Sequence, residues 1–392
     1  MRPTLTLNPG ADRRLRAGHP WIFSNEIRSI AENKTIEPGT LCNLQTQKGE
    51  LLGVGTYNRH ALIAWRLFDT NAEAVIDADW FEARLARAME TRECVYPGGH
   101  YRWIHSESDG IPGLIMDRYG AAISMQLNTA GIDALRGPLI EAMDRLCQVD
   151  TLVMRGDTPQ REHEGLGAEI EILRGEGENI ELIENGLSFV TTLTQGQKTG
   201  WFYDQRDSRA LLASLVSQFE EPKCFDGYTY AGGFAIAMAT QGAQVVAVDR
   251  SGPALELAQQ SADINEVSIE WIKADVFNVL ERAAQNKEQY DLVNLDPPAF
   301  AKSKKSLRQG LRGYRKLTRM GADITGPGGF LVIHSCSHHV DLNALTEQIA
   351  RGLTDASRSG QILFTLGAAA DHPGMPQLPE SQYLKGLVMR LD

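Results

Sequence analysis

The chain has 392 residues, of which 42% are hydrophobic and 23% are charged, and its formal net charge is −11. The length predicts two or three domains, and the composition is typical of a globular protein. The negative charge argues against indiscriminate binding to nucleic acid and leaves room for a local basic patch. No apolar run approaches the roughly 20 residues that span a bilayer, and the N-terminus lacks the apolar stretch of a signal peptide, so we expect no membrane partner.

The distribution of the five cysteines indicates a cytoplasmic protein. They are scattered, odd in number and include no Cys-x-x-Cys pair, a pattern that favours reduced thiols over a disulfide framework or a zinc site. His334, His338 and His339 are close in sequence, but carboxylate or further cysteine ligands at workable spacing are missing nearby. We therefore expect no bound metal.

Residues 1–72 predict a small β-barrel domain. Short strand-like pieces at 4–7, 41–45, 51–57 and 61–68 are separated by glycine and proline, which is typical of such barrels. Arg13, Arg14 and Arg16 could form a weak basic patch there, although a solvated surface is the more common role of such residues.

Residues 73–186 predict a small α+β domain. Trp80, Phe81 and Leu85 fall on one face of an amphipathic helix, and Asp77 or Asp79 can cap its start. Strand-like pieces follow at 113–116, 122–126 and 151–155.

Residues 187–392 predict a doubly wound, seven-stranded α/β domain of the Rossmann-like type. Five apolar runs alternate with segments of helical period, and two further strands suit a closing hairpin. Strands separated by helix-length segments indicate βαβ units and a mostly parallel sheet. The predicted strands are 223–226, 244–249, 269–274, 290–295, 329–335, 361–367 and 385–391.

Carboxylates at the ends of the first three of these strands predict a cofactor pocket. Asp226 opens a glycine-containing turn, Asp249 ends the second strand and Asp275 follows the third, ahead of an apolar wall for an adenine. Ligands collect at this edge of open α/β sheets, and a carboxylate that ends the second strand can accept hydrogen bonds from ribose hydroxyls. Any one of these acids could be a solvated strand end, but three in succession favour a pocket.

The charge of the pocket distinguishes two candidate ligands, NAD and S-adenosylmethionine. The turn lacks the G-x-G-x-x-G fingerprint of dinucleotide sites and starts with an acid. Asp226 would repel a pyrophosphate but attract the ammonium and sulfonium of S-adenosylmethionine. The pocket is therefore predicted to hold S-adenosylmethionine.

The ends of the next two strands predict the reaction site. Asp296 stands before a rigid Pro-Pro turn, and Cys336 ends the following strand. Taken singly, a capping aspartate and a buried cysteine are common, but both residues face one cleft. Methylation at carbon 5 of a pyrimidine needs such a pair, because a thiolate adding to carbon 6 makes carbon 5 nucleophilic while the carboxyl group steadies the ring. Methyl transfer to an exocyclic amine would need no cysteine, so Cys336 discriminates between the two reactions.

A basic segment follows the reaction loop. Residues 302–319 carry eight positive charges and no acid. Such a run is often a solvated helix face, but its position beside the loop favours contact with phosphates. The residues predicted to contact a phosphate-bearing substrate, such as a nucleic acid, are Pro298, Phe300, Lys302, Lys304, Lys305, Arg308, Arg312, Tyr314 and Arg315.

Sequence motifs occur along nearly the whole chain. They are RRLRAGHPW at 13–21, SESDGIPGL at 106–114, GQKTGWFYDQR at 196–206, YAGGF at 230–234, DPPAF at 296–300 with its basic run, and SCSHH at 335–339. Together they resemble the bacterial ribosomal large-subunit RNA methyltransferase I family, the cytosine-5 enzymes that act on 23S ribosomal RNA.

The resemblance implies an N-terminal PUA domain, a central α+β domain and a C-terminal class I methyltransferase domain. It implies Cys336 as the nucleophile with Asp296 as its partner, and 23S ribosomal RNA or a ribosomal subunit precursor as the substrate. A homodimer is a further expectation. The residues that it implies around S-adenosylmethionine are Phe202, Asp204, Arg206, Asp226, Tyr228, Tyr230, Gly232, Asp249, Arg250, Asp275, Val276, Asp296 and Pro297.

Two departures from common patterns leave alternatives open. Pro298 stands where many RNA cytosine-5 methyltransferases carry a second cysteine, so a water or Asp296 are the candidates for removing the carbon-5 proton. Tyr228 and Thr229 stand where a generic methyltransferase turn has another glycine. The rival functions are an RNA methyltransferase directed at a purine or an exocyclic amine, and a catalytically inactive RNA-binding assembly factor. A DNA methyltransferase is disfavoured by the PUA-like start.

Overall fold

The computed structural model describes residues 2–195, 199–301 and 303–392. The chain divides into two compact units, each assembled from three pieces of sequence. The first unit comprises Met1–Ile180, Thr192–Trp201 and Ala370–Ser381, and the second comprises Glu181–Thr191, Phe202–Ala369 and Gln382–Asp392. Among the described residues, no helix combines the length and apolar character needed to cross a membrane.

The N-terminal part of the first unit is a five-stranded sheet in the order β1-β3-β4-β5-β2. Its core contains Leu5, Ile22, Leu44 and Trp65, all without exposed surface. The predicted strands in this region are present, whereas β2 is only three residues long and too short for periodicity to reveal it. The elements are β1 (Thr4–Thr6), α1 (Arg13–Arg16), β2 (Trp21–Phe23), β3 (Thr40–Gln45), β4 (Leu51–Tyr57) and β5 (Ile63–Asp69).

A second five-stranded sheet follows, in the order β10-β9-β8-β7-β6. Of the two predicted caps of α2, Asp77 is the cap, because its carboxylate accepts a hydrogen bond from Trp80 N at 3.1 Å. The elements are α2 (Ala78–Val95), β6 (His100–His105), β7 (Leu114–Tyr119), β8 (Ala122–Leu127), α3 (Ala130–Ala134), α4 (Arg136–Leu146), β9 (Thr151–Arg155), α5 (Pro159–His163) and β10 (Ile170–Arg174).

The second unit contains a seven-stranded sheet in the order β15-β14-β13-β16-β17-β19-β18, preceded by the hairpin β11-β12. All pairs are parallel except those of β19, which runs antiparallel to both neighbours. The elements are β11 (Ile180–Glu184), β12 (Leu187–Thr191), α6 (Arg206–Val216), β13 (Lys223–Gly227), α7 (Gly233–Ala239), β14 (Gln244–Asp249), α8 (Gly252–Ile264), β15 (Glu270–Lys273), α9 (Val276–Gln285), β16 (Tyr290–Leu295), α10 (Leu307–Ile324), β17 (Thr325–Ser335), α11 (Leu342–Asp355), β18 (Gly360–Gly367) and β19 (Lys385–Leu391).

Helices cover both faces of this sheet. Leu317 of α10 and Ile349 of α11 join one core cluster, and Leu212 of α6 and Met238 of α7 join another. The doubly wound, seven-stranded fold predicted for this region is therefore confirmed. The order of the strands also brings the carboxyl ends of β13, β14, β16 and β17 to one edge of the sheet.

The connection inside the terminal β18-β19 hairpin is more than a turn, because its residues 370–381 belong to the first unit. Asp371 accepts a hydrogen bond from Arg102 N at 3.0 Å through Oδ2, and its main-chain carbonyl accepts one from Arg92 at 3.1 Å. These buried contacts give the segment a fixed place in the core of that unit.

Candidate active site at the carboxyl edge of the seven-stranded sheet

Asp226 is a buried carboxylate at the end of β13. It is 1% exposed, and its Oδ1 accepts a hydrogen bond from Asn294 Nδ2 at 2.8 Å. Its Oδ2 is buried and makes no hydrogen bond of ordinary geometry among the residues that the structure describes, although the hydroxyl of Thr229 and the main-chain N–H of Ala235 lie near the carboxylate and partly oppose the effect of burial on its pKa. Burial raises the pKa of Asp226 to about 6. Because an unpaired buried oxygen costs free energy, this atom fits the role of an acceptor for a donor on a bound ligand.

The turn after β13 has an unusual backbone. Tyr228, Tyr230 and Gly232 have φ angles of +67°, +51° and +81°, and the left-handed region is costly for a tyrosine. Tyr230 N donates to Asp249 Oδ2 at 3.0 Å, which helps to hold the turn. At Gly232 a Cβ would lie 2.9 Å from the ring of Trp271. Two tyrosines thus adopt the conformation for which a generic turn would use glycine.

The other two strand-end carboxylates are held by main-chain donors. Asp249 Oδ1 accepts a hydrogen bond from Ser251 N at 2.8 Å, and Asp275 caps α9 through Asn278 N at 3.3 Å. Arg250, predicted beside the cofactor, forms an ion pair with Asp275 at 2.5 Å. The structure places Val276 in the hydrophobic core, where it is 2% exposed.

The segment before α6 meets this turn. The ring of Phe202 packs edge-on against that of Tyr230, with 5.1 Å between the centroids. The hydroxyl of Tyr383 donates a hydrogen bond to Asp204 Oδ2. Arg206 is buried, with its Nε 3.6 Å from a carboxylate oxygen of Glu184. Phe202 therefore lies beside the strained turn, as predicted for a residue of the pocket, while Arg206 serves a buried ion pair.

A hydrogen-bonded chain connects Asp226 with the reaction loop. Gln205 Nε2 donates to Asp296 Oδ2 at 2.9 Å and lies 3.3 Å from His334 Nδ1. His334 Nε2 lies 2.9 Å from Asn294 Oδ1, and Asn294 donates to Asp226. Burial lowers the pKa of His334 to about 3, so its ring is neutral. Since Asn294 uses its amide N–H on Asp226, the proton of His334 lies on Nε2, and Nδ1 accepts from Gln205.

The two central residues of this series of hydrogen bonds, Asn294 and His334, were not predicted from the sequence, although the sequence contains a signal for them. Asn294 stands two residues before Asp296, and His334 two residues before Cys336, each as a polar residue inside a buried apolar strand. Asn294 and His334 lie inside β16 and β17, and Asp296 and Cys336 follow the ends of these strands. A polar residue in such a run, so close to the strand end, is the signal that could have found them. Among the described residues, no cluster of three or more His, Cys, Asp or Glu side chains is placed to hold a metal.

Cys336 follows β17 and approaches the reaction loop directly. Its Sγ lies 4.0 Å from the carbonyl oxygen of Pro297, and the residue is partly exposed. The structure thus brings the predicted thiol to the loop that carries Asp296. Within that loop Pro297 is buried and Pro298 is exposed.

The prediction that Tyr314 contacts RNA is wrong. Its side chain has no exposed surface, and its hydroxyl hydrogen-bonds with Ser335 Oγ at 2.8 Å and with Ser337 Oγ at 2.9 Å. The helical period turns Tyr314 to the same side of α10 as Leu317, toward the core. Its role is to anchor the two serines that flank Cys336.

The basic segment of α10 and the turn before it contains two groups of cations, those in ion pairs and those exposed without an ion pair. Arg315 and Arg319 form ion pairs with Asp355 and Asp323, at 2.6 and 3.1 Å, so the charge of Arg315, predicted to contact RNA, is already balanced. The exposed cations for which the described chain has no ion pair are Lys304, Lys305, Arg308, Arg312 and Lys316. Arg308, Arg312 and Lys316 are spaced by four residues, which places them on one face of α10. Lys304 and Lys305 lie in the turn that precedes the helix. Lys302 and residues 196–198 lie outside the described residues.

Glycines inside α10 let the reaction loop pack closely against the helix. A Cβ on Gly313 would lie 2.8 Å from a ring carbon of Phe300, and one on Gly310 would lie 2.8 Å from Ala301 Cβ. Phe300 also stacks on Phe277, with 6.4 Å between the ring centroids. Phe300, another predicted RNA contact, is thus half-buried between α9 and α10.

Comparison with known proteins identifies the chain. Residues 5–70 match the PUA-like domain family, and residues 161–390 match the S-adenosylmethionine-dependent methyltransferase family. Ribosomal RNA large subunit methyltransferase I of Photobacterium profundum is 35% identical over 395 residues, 98% of each chain. The protein of the same name from Pseudoalteromonas atlantica is 33% identical over 399 residues, 100% of each chain. The chain belongs to the ribosomal RNA large subunit methyltransferase I family.

Solved structures agree on the fold. SMU.776, described as a methyltransferase and complexed with SAH, has a TM-score of 0.83 at 19% identity, with 99% of this chain and 100% of that chain covered. Trm5b of Pyrococcus abyssi has a TM-score of 0.52 at 14% identity, with 71% and 74% covered. These structures confirm the predicted fold. The matched methyltransferase family and the relatives show that the chain is an S-adenosylmethionine-dependent methyltransferase, and they confirm the predicted cofactor and family.

Replacement of Gly313 by alanine is expected to slow methyl transfer about tenfold without loss of the fold. The new methyl group would push Phe300 and the reaction loop away from α10, whereas alanine is a better helix former than glycine by about 1 kcal/mol. Initial rates at saturating cofactor, together with thermal unfolding, test this. Gly137→Ala on α4 is the matched control, because open space surrounds that position. An unchanged rate for Gly313→Ala would show that the close packing is not needed.

Proposed function

We propose that this enzyme methylates carbon 5 of a cytosine in 23S ribosomal RNA through a covalent bond between Cys336 and carbon 6. The observation that carries the proposal is the approach of Cys336 Sγ to the loop of Asp296, at 4.0 Å from the carbonyl of Pro297. A methyl transfer to nitrogen has no use for a thiol there. The relatives are named ribosomal RNA large subunit methyltransferase I, which supports ribosomal RNA of the large subunit as the substrate, either free or in a subunit precursor.

The residues of the cofactor pocket fit S-adenosylmethionine. The unpaired Oδ2 of Asp226 would accept a hydrogen bond from its ammonium group, and Asp249 would accept hydrogen bonds from the ribose. When bound, the cofactor supplies an electrophilic methyl group. The positions proposed to surround it are Phe202, Asp204, Tyr228, Tyr230, Gly232, Asp275 and Pro297.

The chain's own groups would act in a fixed order. The thiolate of Cys336 forms a bond with carbon 6, and the electron pair of the ring double bond moves to carbon 5, which becomes the nucleophile. Asp296, oriented by Gln205, holds the polar edge of the ring while charge develops. After methylation carbon 5 loses its proton, the double bond re-forms and Cys336 leaves. A water or Asp296 takes that proton.

The test is nucleoside mass spectrometry of unmodified 23S transcript, and of large-subunit precursors, after incubation with enzyme and S-adenosylmethionine. The proposal expects 5-methylcytidine. A methylated purine or an N-methylated base would establish the first rival, a methyltransferase without covalent catalysis. Tight RNA binding without any methylation would establish the second, an inactive assembly factor.

Charge reversal on the exposed face of α10 is expected to weaken RNA binding. Arg308→Glu with Arg312→Glu should lower RNA affinity at least tenfold, and should reduce the slope of log affinity against log salt by about 1.5, since each lost phosphate contact removes about 0.7 to 0.9. Filter binding from 50 to 300 mM salt measures both. Arg315→Gln is the matched control, because Asp355 already balances that charge; an equal effect there would contradict the assignment of the face.

The remaining expectations are proposals about organisation. We propose that residues 1–72, 73–186 and 187–392 act as three domains of a cytoplasmic enzyme, with the PUA-like part helping to hold RNA. We also propose a homodimer, because the edge strand β18 exposes Ile362, Leu363 and Phe364 by 40 to 50%, an apolar edge that a second copy would cover. Light scattering that gives the mass of one chain would refute the dimer.

A further inference from the structure

Lys385 spans the turn that presents Cys336. It lies opposite Ser335 in the antiparallel pairing of β17 with β19. Its ammonium donates a hydrogen bond to the carbonyl oxygen of Ser337 at 2.8 Å and another to that of Val340. Because Ser335 and Ser337 are the two neighbours of Cys336, Lys385 bridges the residue that carries the thiol and holds the main chain of the segment that follows it.

The charge of Lys385 acts on Cys336. Burial lowers the pKa of the Lys385 ammonium, and the negative charges of Cys336 and Asp341 oppose that change. The interaction is reciprocal, since an ammonium that is favoured by a thiolate also favours the thiolate. A half-buried cation at the end of a strand is therefore placed where it raises the fraction of the reactive form of the thiol.

Other groups around Lys385 and the segment of Cys336 differ from Lys385 in sign or charge. From α10 comes the hydroxyl of Tyr314, bonded to both flanking serines. From the reaction loop come the carboxylate of Asp296 and the carbonyl of Pro297, which favours the neutral thiol by accepting its hydrogen. Asp341, the cap of α11, is negative. Among these groups the positive charge belongs to Lys385.

We propose that Lys385 is a positioning residue for Cys336, which fixes the turn of residues 335–340 and stabilises the thiolate. This inference rests on the proposed function in one respect, since it takes Cys336 as the nucleophile. Lys385 would act before any RNA binds, because its contacts lie within the folded chain.

The experiment measures the rate of alkylation of Cys336 by iodoacetamide against pH, in the full chain without cofactor or RNA. Mass spectrometry of the Cys336 peptide separates this thiol from the exposed Cys94 and the half-exposed Cys147. Wild type is expected to show a midpoint below about 8.5, the value of an ordinary thiol. Lys385→Gln should raise the midpoint by about one pKa unit, which slows alkylation about tenfold at pH 7. Lys385→Arg should restore most of the wild-type profile.

Lys223→Gln, at the exposed start of β13 and the opposite end of the sheet, is the matched control and should leave the profile unchanged. A midpoint in Lys385→Gln equal to wild type would overturn the inference. Should that variant not fold, a wild-type midpoint at or above 8.5 would overturn it equally. A shifted profile in an enzyme that makes no 5-methylcytidine would sink the proposed function and leave the role of Lys385 standing.

Discussion

Cys336→Ala is expected to abolish formation of 5-methylcytidine while cofactor binding persists. Without the thiol, carbon 5 of cytosine stays unreactive, so the rate should fall by about 10³-fold or more. The pocket carboxylates lie on other strands than Cys336, and the affinity for S-adenosylhomocysteine, measured by calorimetry, should change less than twofold. Cys94→Ala, at an exposed position of α2, is the matched control and should behave as wild type.

A covalent trap makes the same prediction in a form that does not depend on rates. RNA that contains 5-fluorocytidine leaves no carbon-5 proton to remove after methylation, so the bond between Cys336 and carbon 6 should persist. A denaturing gel should show one cofactor-dependent protein–RNA band with wild type and none with Cys336→Ala. A methylated product that survives Cys336→Ala would refute the covalent mechanism, while the fold and the cofactor would stand.

Asp226→Asn is expected to weaken binding of S-adenosylmethionine at pH 8 by about 100-fold. It should also remove the fall in affinity that the wild type shows below pH about 6. Asn294 can still donate to the new side chain, so the shape of the site is kept, but the negative charge that faces the ammonium is lost. In wild type, where burial raises the pKa of Asp226 to about 6, the ionised fraction falls below that pH. Affinity should then fall by up to tenfold for each further pH unit, as calorimetry between pH 5 and 8 would show.

The same substitution is expected to stabilise the cofactor-free protein. The pKa of Asp226 is about 6 when folded against about 3.9 when unfolded, so protonation favours the fold. The contribution of Asp226 to stability is greatest below pH about 4 and is lost as pH rises through 6. At pH 8 Asp226→Asn should therefore raise the free energy of unfolding by about 3 kcal/mol. Asp249→Asn, which loses charge at a site held by two main-chain amides, should weaken cofactor binding without this gain.

The strands and their ends were predictable because their pattern is local. Parallel strands that are buried on both faces read as continuous apolar runs, and the residue after each run lies at the ligand-binding edge. Asp226, Asp249, Asp296 and Cys336 were found in this way, and β13, β14 and β16 start and end within one residue of prediction.

Residues whose roles depend on distant partners were not predictable. Gln205 meets Asp296 across 91 positions of sequence, and Asn294 meets Asp226 across 68. Neither the alternation of apolar residues nor a short motif carries such a pairing.

The seven-stranded fold, the cofactor class and the edge at which we propose the chemistry could be predicted from the sequence alone, because period and strand-end residues are properties of neighbours in the chain. Which side chains can take part in binding or in the reaction became known from the tertiary structure. Tyr314 is buried because α10 turns that face to the core, Arg315 is balanced by Asp355 from α11, and Lys385 reaches the turn of Cys336 through the pairing of β17 with β19. Whether a side chain is buried, paired or free to act depends on contacts between helices and strands, and those contacts form when the chain packs.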